Sequence, residues 1–286
     1  MSMFSRLQYY LTSIPTILGQ VENWPAVFLL LLGKRVVICL RNGCRFRVRS
    51  VMDVWIIKES QTTTHPSITF GVRSVMDVWI IKETCLDRQY ERNGTRIEDG
   101  WVVVDIGAGL GDFAILIARE NPRSRVYAYE PFPESYNLFH ENIVLNGVQN
   151  VYAFQAAVGA RRETLKLVTK GEAVQYTTTK GGCSEKLGSP SLDVEGMTLD
   201  DVFETNGIER CDFLKMDCEG CEFDVLLGAS SAALERISRI CLEYHDGFTE
   251  YTLADLINHL ERNGFQTRVT PNPVHSYLGF LYAYRI

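Results

Sequence analysis

The sequence predicts an α/β protein: a doubly wound, mostly parallel sheet with an antiparallel C-terminal edge strand, preceded by an N-terminal helix and β-hairpin cap. Three observations carry this. From Gly100 onward short apolar runs alternate with helical patterns, the βαβα rhythm of a parallel sheet covered on both faces. A glycine-rich turn, Gly107-Ala-Gly109-Leu-Gly111, joins the first of these runs to a helix. Two β-rich runs at the C-terminus are separated by a short turn bearing Pro271 and Pro273, which makes them an antiparallel pair.

Composition narrows the function classes. A chain of 286 residues, 46% hydrophobic and 22% charged, has the balance of a globular domain with an appendage, not of a disordered, collagenous or coiled-coil chain. The net charge of −6 argues against bulk polyanion binding. The longest apolar run, Ala26–Leu32, falls far short of the ~20 residues of a bilayer span. Arg6 followed by polar and aromatic residues, with Pro15 and Pro25 beyond, makes a poor secretory signal, so a cytoplasmic protein is expected. Eight cysteines are too dilute for a disulfide scaffold and read as mostly buried thiols in a reducing compartment.

An N-terminal cap is expected over 1–95 and the main domain over 96–286. Residues 5–32 pattern as one or two helices closed by Gly33. Arg35–Arg41, then Asn42-Gly43, then Cys44–Val48 is a hairpin signal. Val48–Glu59 and Val72–Glu83 are identical over twelve residues at an offset of 24, with Phe46 and Phe70 extending the match. Two copies do not make a solenoid. Both copies carry a Trp and two Ile that seek burial, so one must find a new surface. Arg45, Arg47 and Arg49 alternate with Phe46 and Val48 and so share one strand face, most simply a solvated one.

In the main domain, strands are expected at Val102–Ile106, Val126–Tyr129, Val151–Val158, Cys211–Asp217 and Ile237–Tyr244. Helices are expected at Phe113–Arg119, Glu134–Leu145, Leu199–Glu204, Glu222–Leu227 and Thr252–Asn263. Leu165–Val168 reads as an added strand and Lys170–Gly196 as loop. Phe265–Val269 and Tyr277–Tyr284 form the final pair. The whole is Rossmann-like, so ligands should bind at the carboxyl ends of the strands, near the switch in strand order.

Three stretches fall there. Asp105-Ile-Gly107-Ala-Gly109-Leu-Gly111-Asp112 ends the first strand and opens a helix, offering close backbone approach and free N–H groups. Its G-x-G-x-G spacing departs from the dinucleotide fingerprint, and Asp105 and Asp112 would repel a pyrophosphate but suit a cationic ligand. A side chain at Gly107 would occupy that ligand's space. Glu130, about 20 residues on, stands where an acid accepts both hydroxyls of a ribose. Asp217 and Glu219, with Glu243 and His245 on the next strand, converge on one rim. There they could deprotonate a hydroxyl or hold a divalent metal; no metal ligands are assigned. Cys218-x-x-Cys221, with Cys211 and Cys241, imitates a zinc set. One CxxC without a second pair is weak, and buried thiols explain the four more simply.

The segments VVVDIGAGLGDF at 102–113, YAYEPFPESYNLFHENIVLNG at 127–147, AAVG at 156–159, MTLDDVF at 197–203, DFLKMDCEGCEFDVLLGA at 212–229 and LEYH at 242–245 together resemble, in order, the FkbM family of class I S-adenosylmethionine-dependent methyltransferases. The hairpin and the second repeat copy followed by Tyr90 resemble it too; the duplication does not. The resemblance implies S-adenosylmethionine as cofactor. It also implies O-methylation of a hydroxyl on a sugar, glycan or small natural product by in-line displacement. It places Asp105, Gly107, Ala108 and Gly109 at the methionine end, Glu130 on the ribose, Pro131 and Phe132 flanking the adenine, and Ala157 abutting it. Asp217 would stand beside the sulfonium and amino group, with Glu219, Glu243 and His245 facing the acceptor and His245 or Asp217 as base. The implied partner is a small-molecule or glycan acceptor, without nucleic acid or membrane span.

Competing readings are a cofactor-binding but catalytically silent module, an NAD-dependent oxidoreductase and a nucleic-acid methyltransferase. The first predicts tolerance of Asp217→Ala. The second needs the missing G-x-G-x-x-G spacing, and the third a D/N-P-P-Y type motif at Asp217 and steep salt dependence.

Overall fold

A computed structural model describes Pro25 and residues 36–39, 45–48, 68–70, 77, 80–168, 177–179, 191–272 and 277–285. The helices expected over 5–32 lie outside these apart from Pro25, as do Arg49 and the first repeat copy beyond Val48.

The strands, in chain order, are β1 (Val36–Cys39), β2 (Arg45–Val48), β3 (Thr69–Phe70), β4 (Val102–Ile106), β5 (Arg125–Tyr129), β6 (Val151–Phe154), β7 (Ala157–Val158), β8 (Glu163–Val168), β9 (Thr177–Thr179), β10 (Ser191–Met197), β11 (Phe213–Met216), β12 (Arg239–His245), β13 (Gln266–Pro271) and β14 (Leu278–Tyr284). The α-helices are α1 (Gln89–Asn93), α2 (Asp112–Glu120), α3 (Pro133–Asn146), α4 (Leu199–Thr205), α5 (Glu222–Gly228), α6 (Ser231–Glu235) and α7 (Leu253–Arg262). Among the described residues, no helix is long and apolar enough to cross a membrane.

The central sheet has seven strands in the order β13-β14-β12-β11-β4-β5-β6. All neighbours from β12 to β6 run parallel, and β14 lies antiparallel to both β12 and β13. This is the mixed Rossmann-like sheet with antiparallel C-terminal strands that the sequence predicts. From β4 the chain winds outward through β5 and β6, then returns to β11 on the other side. The order therefore switches between β4 and β11, which places a crevice at their carboxyl ends.

Alternation along the strands divides the core. Val103, Phe213 and Cys241 face one side, where they pack with α2, Phe70, Ile81 and Tyr90. Val102, Val104, Leu214 and Ile240 face the other, against Val202 and Phe203 of α4, Phe223 and Leu226 of α5, and Leu256 and Leu260 of α7. The last pair lies one turn apart on one helix face. Capping boxes begin α4 (Thr198 with Asp201) and α7 (Thr252 with Asp255), each satisfying two otherwise orphaned N–H groups.

Two expectations change. The single strand expected over Val151–Val158 is split: β6 pairs with β5 in the central sheet, whereas β7 turns away to pair with β10. The loop expected over Lys170–Gly196 contains β9 and most of β10, which with β7 and β8 form a four-stranded sheet. The missed signal is period-two alternation in β10, where Val194 is buried between exposed Asp193 and Glu195.

The hairpin is present, β1 and β2 pairing antiparallel from Val36↔Val48 to Cys39↔Arg45. β2 then pairs with β3 in parallel, Arg45 opposite Thr69 and Phe46 opposite Phe70. The two pairs join residues 24 apart, the offset of the repeat, just ahead of each copy. Ile81 of the second copy, and Phe70 just ahead of that copy, are buried with Phe113, Phe139 and Tyr90.

Candidate active site

The glycine loop is anchored before any ligand arrives. The N–H groups of Gly107 and Ala108 both donate to the Tyr129 carbonyl at 3.0 Å, tying the end of β4 to β5. Gly107 adopts φ +77°, and a Cβ there would stand 1.8 Å from the Asp217 carbonyl oxygen. A side chain at Gly107 would therefore strike the end of β11 rather than a ligand, which corrects the expectation above. At Gly109 a Cβ would meet nothing within 4 Å, so this is the open part of the loop.

Buried acids surround it. The Glu130 carboxylate accepts the Gly109 N–H at 2.8 Å and the Phe132 N–H at 2.9 Å. Burial pushes Glu130 up to about 7 against the pull of these bonds. Burial likewise raises Asp112 to about 6. Asp105 is fully buried with Lys215 Nζ 2.9 Å from its Oδ1, and its Oδ2 has no hydrogen-bond partner among the described residues. Lys215 also donates to the Gly107 carbonyl at 2.8 Å. Burial opposes its charge, but Asp105, Asp217 and Asp112 outweigh that and hold the ammonium protonated. At the end of β5, Phe132 packs on Ala157 and Val194, so two of the three residues expected around an adenine are brought together.

The rim forms where β11 and β12 end. Asp217 Oδ2 accepts the Tyr90 hydroxyl at 2.7 Å. The Tyr90 ring is wedged edge-on between Phe113 and Phe280. Beyond Asp217 the chain turns through Glu219 at φ +56° and Gly220 at φ +107°. Buried Glu222 secures this turn: its Oε1 accepts the Cys218 N–H at 2.8 Å and its Oε2 the Gly220 N–H at 3.0 Å. Glu222 Oε1 also lies 3.2 Å from His245 Nδ1, while His245 Nε2 faces Glu219 Oε2 at 3.5 Å. Glu222 stands between the loop and His245, and Glu219 at the more open edge.

Electrostatics follow from crowding acids around one imidazole. Burial would lower His245, but the Glu222 hydrogen bond and the charges of Glu222, Asp217 and Glu219 prevail and raise it to about 9. Burial, then the charge of Asp217, lifts Glu219 to about 7 and Glu243 to about 8. Ligand atoms of Asp217, Glu222 and His245 lie within 4.8 Å of one another, the spacing of a cation site. Each of these side chains is already engaged, Asp217 by Tyr90, Glu222 by two backbone N–H groups, and His245 by Glu222.

One expectation about cysteine is corrected. Cys211 and Cys241 are buried thiols as expected, but Cys218 and Cys221 are joined in a disulfide. The tight turn at Glu219 and Gly220 brings their Cα atoms to 5.6 Å, within bridging range. Tyr90, Lys215 and Glu222 were given no role by the sequence. Glu222 lies within the same motif, but what it binds depends on how the turn folds. Tyr90 lies 127 residues from Asp217, and no local pattern announces the contact. Two open hollows of about 410 and 490 Å³, one lined by Arg96, Asp99 and Glu120 and the other by Arg210, Arg236 and Arg285, sit at the amino ends of the strands, away from this chemistry.

Comparisons with known proteins converge on one family. The Methyltransferase FkbM domain family matches residues 105–267. The AMB antimetabolite synthetase AmbE of Pseudomonas aeruginosa is 28% identical over 219 residues, covering 64% of this chain but only 10% of its own length. Methyltransferase 1 of Beauveria bassiana is 27% identical, covering 60% of this chain and 74% of its own. The 31-O-demethyl-FK506 methyltransferase FkbM of Streptomyces tacrolimicus is 27% identical, covering 66% and 81%. Among solved structures, methyltransferase FkbM from Methylobacillus flagellatus superposes with a TM-score of 0.45 at 17% identity, covering 75% of this chain and 56% of its own. The match across 105–267, set on this fold and this strand-end crevice, shows that the chain belongs to the FkbM family of S-adenosylmethionine-dependent methyltransferases.

Proposed function

We propose that the protein transfers the methyl group of S-adenosylmethionine to a hydroxyl oxygen of a sugar, glycan or small natural product. The observation that carries this is the rim itself: Glu219 and His245 face each other across 3.5 Å beside Asp217, at the switch point of the sheet.

The residues present fit the cofactor. Asp105, Asp112, Glu130 and Asp217 surround the glycine loop with Lys215 among them, and Asp105 Oδ2 is buried without a partner among the described residues. An excess of buried acid suits a ligand carrying a sulfonium and an ammonium, and disfavours the pyrophosphate of NAD. In this reading Asp105, Gly107, Ala108 and Gly109 hold the methionine end, Glu130 the ribose, and Pro131, Phe132 and Ala157 the adenine.

The bound sulfonium supplies an electrophilic methyl group and departs as a neutral thioether. The chain's task is to place an oxygen in line with it at ~3–3.5 Å and to take the hydroxyl proton as the bond forms. Asp217, held by Tyr90, is committed to orientation and charge. Glu219 lies at the open edge with a proton affinity near neutrality, which makes it the group matched to receive the proton. His245 backs it, and Glu222 holds His245 in place. The name of the Streptomyces relative puts its methyl group on an oxygen, which supports O-transfer here.

The test is incubation with methyl-deuterated cofactor and a panel of glycosides and polyketide alcohols, read by mass spectrometry. The reading expects a labelled O-methyl product that is lost in Glu219→Gln and in Asp217→Asn. Labelling of nitrogen or carbon alone would contradict it.

A further inference from the structure

The turn between β11 and α5 contains a group that methyl transfer leaves unused. The Cys218–Cys221 disulfide closes a ring around Glu219 and Gly220, both at positive φ. Asp217 enters this ring and Glu222 leaves it. Both cysteines are half-buried, within reach of a small reductant. A bridge between residues three apart restrains little of the unfolded chain, so its effect is local. A non-glycine residue stays left-handed only where its surroundings hold it there. For Glu219 those surroundings are the disulfide and the two N–H bonds to Glu222. The ring also touches the cofactor loop, because the Asp217 carbonyl packs directly on Gly107.

We propose that the Cys218–Cys221 bridge is a redox-responsive element of the active site, opened by a dithiol, whose state sets where Glu219 stands relative to His245. A thiolate of the dithiol attacks one sulfur of the bridge, breaking the S–S bond and releasing the other cysteine as a thiolate. The second thiol of the reductant then displaces the protein from the mixed disulfide. The dithiol leaves as its own disulfide, and the protein gains two electrons and, once both thiolates are protonated, two protons. Oxidation by a disulfide of the same class reverses both steps. In the opened state Glu219 relaxes from the left-handed region and its carboxylate leaves His245. Asp217 loses its fixed approach to Gly107. This proposal rests on the reading of the rim as the methyl-transfer site.

The test uses the full chain prepared without reductant and then with dithiothreitol. Alkylation with N-ethylmaleimide before digestion reads the bridge directly, because the tryptic peptide 216–236 contains Cys218 and Cys221 and no other cysteine. The peptide should take no label without reductant and two labels with it, and its amide exchange should accelerate on reduction. Reduction should weaken S-adenosylhomocysteine binding about threefold or more, a shift of at least ~0.7 kcal/mol. Cys218→Ser/Cys221→Ser should match the reduced protein and ignore dithiothreitol. Full labelling of the unreduced protein would overturn the proposal, as would identical exchange and affinity in the two states. If the ligand binds in neither state, the methyl-transfer reading fails instead, and the exchange of peptide 216–236 alone decides whether the bridge controls the turn.

Discussion

The Tyr90 hydroxyl donates to Asp217 Oδ2 at 2.7 Å, joining the helix after the repeated segment to the end of the strand beside the sheet's switch point. The ring is held by Phe113 and Phe280, so the bond is made by a preset donor. A hydrogen bond to a charged group contributes about 1.5–3 kcal/mol. Tyr90→Phe keeps the ring and removes the donor. It should lower kcat/KM about tenfold, or ~1.4 kcal/mol, while the melting temperature changes by only a few degrees. Steady-state kinetics beside a thermal melt checks this.

Glu222 accepts two backbone N–H groups and holds His245, with 1% of its surface exposed. Glu222→Ala would leave these partners unmatched in the interior and should cost about 3 kcal/mol or more. Glu222→Gln retains an acceptor and should cost less. Urea denaturation of both variants gives the difference.

The pH dependence has a defined sign. Burial raises Asp112 to about 6, Glu130 to about 7, Glu219 to about 7 and Glu243 to about 8, above ordinary carboxyl values. The folded state then holds protons that the unfolded state releases, so stability falls as pH rises from about 4 toward 8. His245 is also raised, to about 9. Its contribution is complete below the unfolded value of about 6.5 and is lost as pH climbs through 9. The ligand-free protein should therefore melt at progressively lower temperature from pH 5 to pH 9. His245→Gln should flatten the upper part of that slope, and a cationic ligand should flatten the lower. A melting series across pH tests this.

The fold was legible because its strands are near-continuous apolar runs bounded by glycines, as Val102–Ile106 shows. β10 was missed because one buried face in Ser191–Met197 is a faint pattern beside the surrounding glycines and serines. Glu130 and Asp217 of the candidate site were legible as strand-end residues. The contacts of the site were not, since Tyr90–Asp217 and Glu222–His245 depend on how distant segments pack. Gly107 shows the limit well: its glycine marks a crowded junction with the Asp217 carbonyl, not free space for a ligand.

That distinction is measurable. Gly107→Val places a branched side chain at φ +77° against a backbone carbonyl and should destabilise the fold by several kcal/mol, with ligand affinity lost as a consequence. Gly109→Ala meets open space and should cost only about 1–2 kcal/mol for its left-handed backbone. Chemical denaturation of the two variants ranks them.

The repeat yields a test of its own. Deleting Arg49–Val72 removes 24 residues and joins Val48 to Arg73, restoring one uninterrupted copy. Phe46 then takes the place of Phe70, to which it is already paired, and Cys44 that of Ile68. The shortened chain should fold, at a cost of about 1–3 kcal/mol for the smaller Cys44, with cofactor affinity unchanged. Loss of affinity would mean that the duplication shapes the site.

The most direct test of the account is calorimetric titration of the full chain with S-adenosylmethionine and, separately, with NAD. The acids around the glycine loop predict micromolar binding of the sulfonium and none of the dinucleotide. Affinity for the sulfonium should fall at least tenfold, ~1.4 kcal/mol, in Asp217→Asn. Tight binding of NAD, or sulfonium binding indifferent to Asp217, would contradict it.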